Sequence, residues 1–177
     1  MDPFATLGLE RTYELDLRAA EKTHRELSRA LHPDRYVGSG ASERREALEK
    51  AVLVNEAWRM VKDPIRRAEA LFTLAGVRVG DTHEPKPSPV LLMDMMEQRE
   101  ALADARSKRD LLAVKRLVAE MTSRQASVEA ELAAGFDSAG GDRGKLTPFV
   151  AKLGELRYCR RFLEDASAIA DDLGLAS

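Results

Sequence analysis

Residues 16–36 read DLRAAEKTHRELSRALHPDRY, and the periodicity of this stretch decides the class of the chain. Asp16 is an N-cap residue type, because its short carboxylate can accept from the free amides of a first helical turn. From there Leu17, Ala20, His24, Leu27 and Leu31 share one stripe at about 100° per residue, which predicts a helix to about Leu31. Arg18, Lys22, Arg25 and Arg29 follow at i, i+4, i+7 and i+11, within about 60° of arc on the opposite side, with Glu21 and Glu26 off that stripe. Pro33 ends the helix, since the residue before a proline is pushed out of the α region. His32, Pro33 and Asp34 then form a short turn that sets an imidazole and a carboxylate around a fixed proline. Taken singly, such a charge stripe is an ordinary solvated face, and the tripeptide is an ordinary helix-ending turn.

Working outward, Phe4 to Leu9 is apolar but long enough only for a helical turn or two. After the turn, Gly38 and Gly40 mark a polar loop, and Ser42 is an N-cap candidate for a helix to about Lys62. Its stripe is Ala47, Ala51, Val54, Trp58 and Val61. Asp63-Pro64 supplies a cap followed by proline at the first helical position. The short helix that follows stops at Gly76, a glycine C-terminal signal. A first unit therefore spans residues 1–76. Residues 77–88, VRVGDTHEPKPS, have two prolines, one glycine and no stripe, and read as a linker.

Ser88-Pro89 restarts a helix to about Arg106, and another begins near Ser107 or Asp110 and ends around Gly135. Residues 137–146, DSAGGDRGKL, read as a glycine-rich loop. Thr147-Pro148 opens a last helix to about Leu173. Residues 89–177 thus predict an antiparallel three-helix bundle. The expected class is all-α.

Composition agrees. Of 177 residues, 44% are hydrophobic and 33% charged, and no strand-length run alternates apolar with polar. A net charge of −2 argues against bulk binding of nucleic acid or an anionic membrane, which needs a basic excess. A lone Cys159 excludes an internal disulfide and a cysteine-based zinc cluster. No apolar run reaches the roughly 18 residues of a membrane span, and Met1-Asp2-Pro3-Phe4 lacks the start of a secretory signal. The protein is expected to be soluble and cytoplasmic. His24, His32 and His83 are too few for a multi-ligand metal site, and no glycine-rich phosphate loop ends in Lys-Ser or Lys-Thr. Neither an enzyme activity nor a cofactor is expected.

The basic helix and its His32-Pro33-Asp34 end together resemble the J-domain family. Phe4-Ala5-Thr6-Leu7-Gly8-Leu9 is similar to that family's opening, and Leu31 to Tyr36 to its loop. Val54-Asn55-Glu56-Ala57-Trp58, Lys62-Asp63-Pro64 and Arg66-Arg67-Ala68-Glu69 are similar to its third helix and closing segment, all in order over residues 1–76. The resemblance implies a helical hairpin with short flanking helices. It also implies that Arg18, Lys22, Arg25 and Arg29 dock on an acidic surface of a DnaK/HscA-type ATPase chaperone. His32, Pro33 and Asp34, with Arg35 beside them, would then trigger hydrolysis in that partner, and Asp34 would make a charge-assisted bond to a partner arginine.

The helix after Ser88-Pro89 carries a second reading. Leu91, Met95, Gln98, Leu102 and Ala105 form a core stripe, whereas Leu92, Met93 and Met96 lie about 100°, 200° and 140° from Leu91. Glu97 and Glu100 flank them. A wide apolar arc suits a helix buried against two neighbours; it equally suits an exposed Leu/Met docking patch rimmed by acids. LLMDMMEQREAL, residues 91–102, resembles the first C-terminal helix of the HscB-type co-chaperones of iron–sulfur cluster assembly, and RRAEALFTLAG, residues 66–76, is also similar to that subfamily.

That resemblance implies that Leu92, Met93, Met96, Glu97 and Glu100 bind an IscU-type cluster scaffold protein. Tyr158 would join them from the last helix, where it lies about 140° from Leu153 and is expected to be exposed. Asp94 and Gln98 depart from the commoner Glu and Leu, and the 137–146 loop has no counterpart. The alternatives are a general J-domain protein delivering unfolded clients, a metal-dependent phosphohydrolase built on His32 and Asp34, and a nucleic-acid binder using the basic helix.

Overall fold

The computed structural model describes residues 1–80 and 85–175. The expected linker falls partly outside the described residues, at positions 81–84, and so does His83. Among the described residues there are eight α-helices, two 3-10 turns and no strand. The all-α expectation holds. Contacts divide the chain into two compact units, residues 1–78 with 136–146, and residues 79–135 with 147–177.

In the first unit the caps dictate the element boundaries. Helix α1 (Pro3–Leu7) is capped by Asp2, whose Oδ1 accepts from the Phe4 and Ala5 amides at 3.0 and 3.2 Å. It closes on Gly8 at φ +67°, where the Gly8 and Leu9 amides return to Ala5 and Phe4 carbonyls. Only a residue free of Cβ enters that left-handed conformation cheaply. Helix α2 (Leu17–Ala30) starts at the Asp16 cap, which accepts from Arg18 and Ala19. A 3-10 turn (Pro33–Tyr36) leads to α3 (Ala41–Lys62), and α4 (Pro64–Leu74) starts at the Asp63 cap.

Phe4, Leu7, Tyr13, Ala20, Val54, Ala57, Val61 and Phe72 are buried together with Ile65 and Ala68. Arg67 is buried as well; its Nη1 donates to the Val61 carbonyl at 2.8 Å and its guanidinium lies 4.9 Å from the centre of the Tyr13 ring. A planar cation of weak hydration can be enclosed this way, with a carbonyl at one edge and a ring beneath.

Two local expectations change. Ser42 does not cap α3. Gly40 does, with no side-chain bond, because the chain is already extended there at ψ 159° and the helix begins at Ala41, two residues earlier than a Ser42 cap would start it. Leu17 sits at the first position of α2 and is 41% exposed, so the buried stripe starts at Ala20.

The second unit is built from α5 (Pro89–Ser107), α6 (Leu111–Ala139) and α8 (Val150–Leu175), with a 3-10 turn (Thr147–Phe149) leading into α8. Ser88 caps α5, accepting from the Leu91 amide at 3.2 Å, and Asp110 accepts from the Ala113 amide at 2.9 Å. The core gathers Leu102 and Ala105 from α5, Val114, Leu117 and Met121 from α6, and Tyr158, Cys159, Phe162 and Ala166 from α8.

The end expected for α6 at Gly135 is passed over, and the helix runs on to Ala139. Gly135 is present for a different reason: a Cβ there would stand 2.6 Å from Cε1 of Phe149. The glycine makes room for the ring rather than ending the helix. Residues 137–146, expected as a loop, belong with Phe136 to the first unit instead, and the short helix α7 (Arg143–Leu146) lies inside them. Phe136 is their anchor, 4.8 Å from Phe72 and 5.7 Å from Tyr13 between ring centres.

Candidate functional site

The basic face of α2 is set by what its other face buries. Ala20 is buried, and His24 stacks on Trp58 of α3 with ring centres 5.2 Å apart and planes within 12°. This leaves Arg18, Lys22, Arg25 and Arg29 exposed together. Glu21 and Glu26 nevertheless reach the stripe: Arg25 pairs with Glu21 at 2.6 Å and Lys22 with Glu26 at 4.0 Å. Among the described residues no ion pair involves Arg18 or Arg29.

The stripe ends in a turn whose geometry is held by the main chain. His32 caps the 3-10 turn, its Nδ1 accepting from the Asp34 amide at 3.3 Å. A ring nitrogen that accepts carries no proton, so this contact belongs to the neutral imidazole. The Asp34 Oδ2 atom is 3.5 Å from the same nitrogen, and only a ring that carries a proton on Nδ1, neutral or charged, can donate to it. The two contacts are therefore alternatives. The Tyr36 hydroxyl donates to the Ala30 carbonyl at 3.3 Å and closes the turn against the end of α2. Asp34 is left with a side chain 86% exposed, and Pro33 and Arg35 are exposed beside it.

On α5 the structure decides between core and patch. Leu92, Met93 and Met96 are 50%, 64% and 56% exposed, and Glu97 and Glu100 are exposed next to them. Val90 is a further exposed apolar residue at the start of the helix, not singled out by the sequence.

Tyr158 is a correction. Expected on the surface, it is 4% exposed and packs in the bundle core 6.1 Å from Phe162. Its angular distance from Leu153 turns it toward α5 rather than toward solvent, and its hydroxyl donates to the Met95 carbonyl at 3.0 Å. Burial pushes the phenol pKa up.

Sequence reasoning also missed Arg124 of α6. Its guanidinium bonds Asp94 of α5 and donates through Nε to Glu155 of α8 at 2.9 Å. Lys152 extends the network to Glu131 at 2.8 Å and Glu155 at 3.2 Å. The departure at Asp94 thus has a partner, but no periodic signal could reveal an ion pair spanning three helices.

Cys159 is fully buried, and burial pushes its thiol pKa up to about 11. Among the described residues no group of three or more His, Cys, Asp or Glu side chains could hold a metal ion. No described helix is long and apolar enough to cross a membrane.

Residues 87–167 match the family described as the HSCB C-terminal oligomerisation domain. The co-chaperone protein HscB homolog of Cupriavidus taiwanensis is 35% identical over 156 residues, covering 86% of this chain and 89% of that protein. Its counterpart in Bordetella pertussis is 34% identical over 167 residues, covering 94% and 95%. Among solved structures, chaperone HscB from Vibrio cholerae superposes with a TM-score of 0.83 at 26% identity, over 98% of this chain and 99% of that one. Human co-chaperone HscB gives a TM-score of 0.82 at 21% identity, covering 95% and 81%, and speaks to the fold alone.

Proposed function

Because the chain belongs to the HscB family of co-chaperones, we propose that it stimulates ATP hydrolysis by a DnaK/HscA-type chaperone and delivers an IscU-type iron–sulfur cluster scaffold to it. The observation that carries this reading is that one chain presents both an exposed His-Pro-Asp turn closing a basic helix and an exposed Leu/Met face rimmed by Glu97 and Glu100.

The mechanism follows from the chemistry of each surface. Arg18, Lys22, Arg25 and Arg29 steer the encounter with an acidic chaperone surface. The turn then delivers Asp34 to a partner arginine, where a carboxylate with few competing bonds makes a strong charge-assisted contact. Pro33 sets the angle of approach, His32 fixes the Asp34 main chain, and Arg35 adds a cation at the edge. The hydrolytic chemistry belongs to the partner, so the chain needs no cofactor of its own. Leu92, Met93 and Met96 supply adaptable apolar contact to the scaffold, and Glu97 and Glu100 give it polarity and register. The site of action on this reading is the cytoplasm.

The test is ATPase stimulation of a DnaK/HscA-type chaperone with and without an IscU-type scaffold. A synergistic rise that Leu92→Ala/Met96→Ala removes supports the whole reading. Stimulation that many denatured proteins enhance equally favours a general J-domain role instead, and no stimulation at all defeats both.

A further inference from the structure

We propose that Tyr158 and Arg124 form a two-point clamp on Asp94 and Met95 that holds the N-terminal half of α5, and with it the Leu/Met face, in register for its protein partner. The inference rests on the scaffold-binding reading above, and it makes both residues positioning residues rather than contacts.

The need for a clamp is visible in how α5 is buried. Its buried residues are Leu102 and Ala105, both in the C-terminal half. From Pro89 to Gln98 no side chain is fully buried; Leu91 and Met95 are half covered, while Leu92, Met93 and Met96 point outward. A helix end that buries little apolar area gains little from packing and opens locally more easily than the rest of a domain. Yet this is the half that displays the face.

Two polar contacts stand where the missing apolar ones would be. The Tyr158 hydroxyl donates to the main-chain carbonyl of Met95, and a carbonyl has a second lone pair to spare beyond its helical bond. The hydroxyl thus grips the backbone of α5 rather than a side chain. One residue away, Asp94 is held by Arg124. The arginine is itself fixed, because its Nε and Nη2 both reach Oε1 of Glu155 at 2.9 Å. Glu155 is in turn bonded through Oε2 to Lys152. The Asp94, Arg124 and Glu155 side chains are 38%, 27% and 11% exposed, so the bonds grow less screened toward the bundle interior. Burial alone would lower the Arg124 pKa; its bonds to Asp94 and Glu155 outweigh that and raise it. Grips on residues 94 and 95 fix both rotation and height of the turn that carries Met93 and Met96.

The test compares the full chain with Tyr158→Phe, which keeps the ring and removes only the hydroxyl, and with Arg124→Gln. Amide hydrogen exchange of residues 91–98 is expected to quicken about fivefold or more in each variant, with residues 101–107 unchanged. In the chaperone assay, the IscU-type scaffold concentration giving half-maximal stimulation is expected to rise about three- to tenfold, with the plateau retained. Leu92→Ala is the contrast: it should weaken scaffold binding and leave exchange as it is. Unchanged exchange at 91–98 in Tyr158→Phe overturns the clamp. Faster exchange with an unchanged half-maximal concentration overturns its role in recognition. If the unaltered chain shows no response to the scaffold, the functional reading falls, while the exchange profile of the free protein still decides whether the two grips hold α5.

Discussion

His24 and Trp58 lie face to face, 5.2 Å between ring centres, and the Nε2 atom of His24 is 3.0 Å from Oδ1 of Asn55. A histidine on the apolar side of a basic helix is thus joined to α3 by both a stack and a polar contact. Trp58→Ala is expected to cost about 2–3 kcal/mol, somewhat below the range for a fully buried aromatic because the ring is half-buried. His24→Ala should cost about 1–2 kcal/mol. Urea unfolding of the two variants checks both values; equal stability of Trp58→Ala and the parent chain would mean that the stack contributes nothing.

Asp34→Asn should abolish stimulation of the partner ATPase while leaving the far-ultraviolet circular dichroism as it was. The side chain is highly exposed and its charge meets only the His32 ring at 3.5 Å, so little folding energy depends on it. Stimulation that survives intact would remove Asp34 from the proposed mechanism.

Gly135→Ala tests the reading of that glycine as a space-maker. Alanine is the better helix former by about 1 kcal/mol, so a mid-helix glycine with open space beside it would allow the substitution to stabilise. With a Cβ at 2.6 Å from the Phe149 ring, overpacking should instead destabilise by about 1–3 kcal/mol. The sign of the change in melting temperature settles the matter.

Asp2 links stability to acid pH. Burial pulls its pKa up, but the amides of Ala5 and Phe4 and the Arg11 guanidinium outweigh it and hold it below the ordinary 3.8. A carboxyl with a lowered folded-state pKa stabilises fully above the unfolded value, and the benefit is lost as pH falls through the folded one. Asp2→Asn should therefore be less stable than the parent near neutral pH, with the gap narrowing below about pH 4. A gap that is constant down to pH 2 would show that the charge is irrelevant.

Cys159 should be inert. With no exposed surface and a thiol pKa near 11, it offers neither access nor thiolate. Ellman's reagent is expected to find no reactive thiol in the native chain at pH 8, and one after unfolding in guanidinium.

Helix starts were the most legible part of the fold, because Asp16, Asp63 and Ser88 each satisfy amides a few residues away and the chemistry is local. The basic face was legible too, since helical angle separates Arg18 from its core stripe, whereas the wide apolar arc of α5 suited core and patch alike until burial decided between them. Tyr158 was misjudged because angle alone does not say which neighbour fills a given direction; α5 occupies the sector that a two-sided view leaves to solvent. Gly135 was misjudged because a glycine that ends a helix and one that admits a ring look alike in sequence. Arg124 and Phe136 act through partners about 30 or more positions distant, and no periodic pattern encodes such pairs.

The Arg25–Glu21 and Lys22–Glu26 pairs make the basic face weaker in its middle than at its ends. A partner carboxylate that reaches Arg25 meets a cation already partly neutralised by Glu21, so the middle of the face gains less from a new ion pair. Fresh attraction resides at the termini of the stripe, Arg18 and Arg29, which stand eleven residues apart, or about 16 Å along the helix axis. Diffuse negative charge gains little from such a face. An acidic surface whose carboxylates match that span gains at both ends at once, which turns a row of four cations into a ruler.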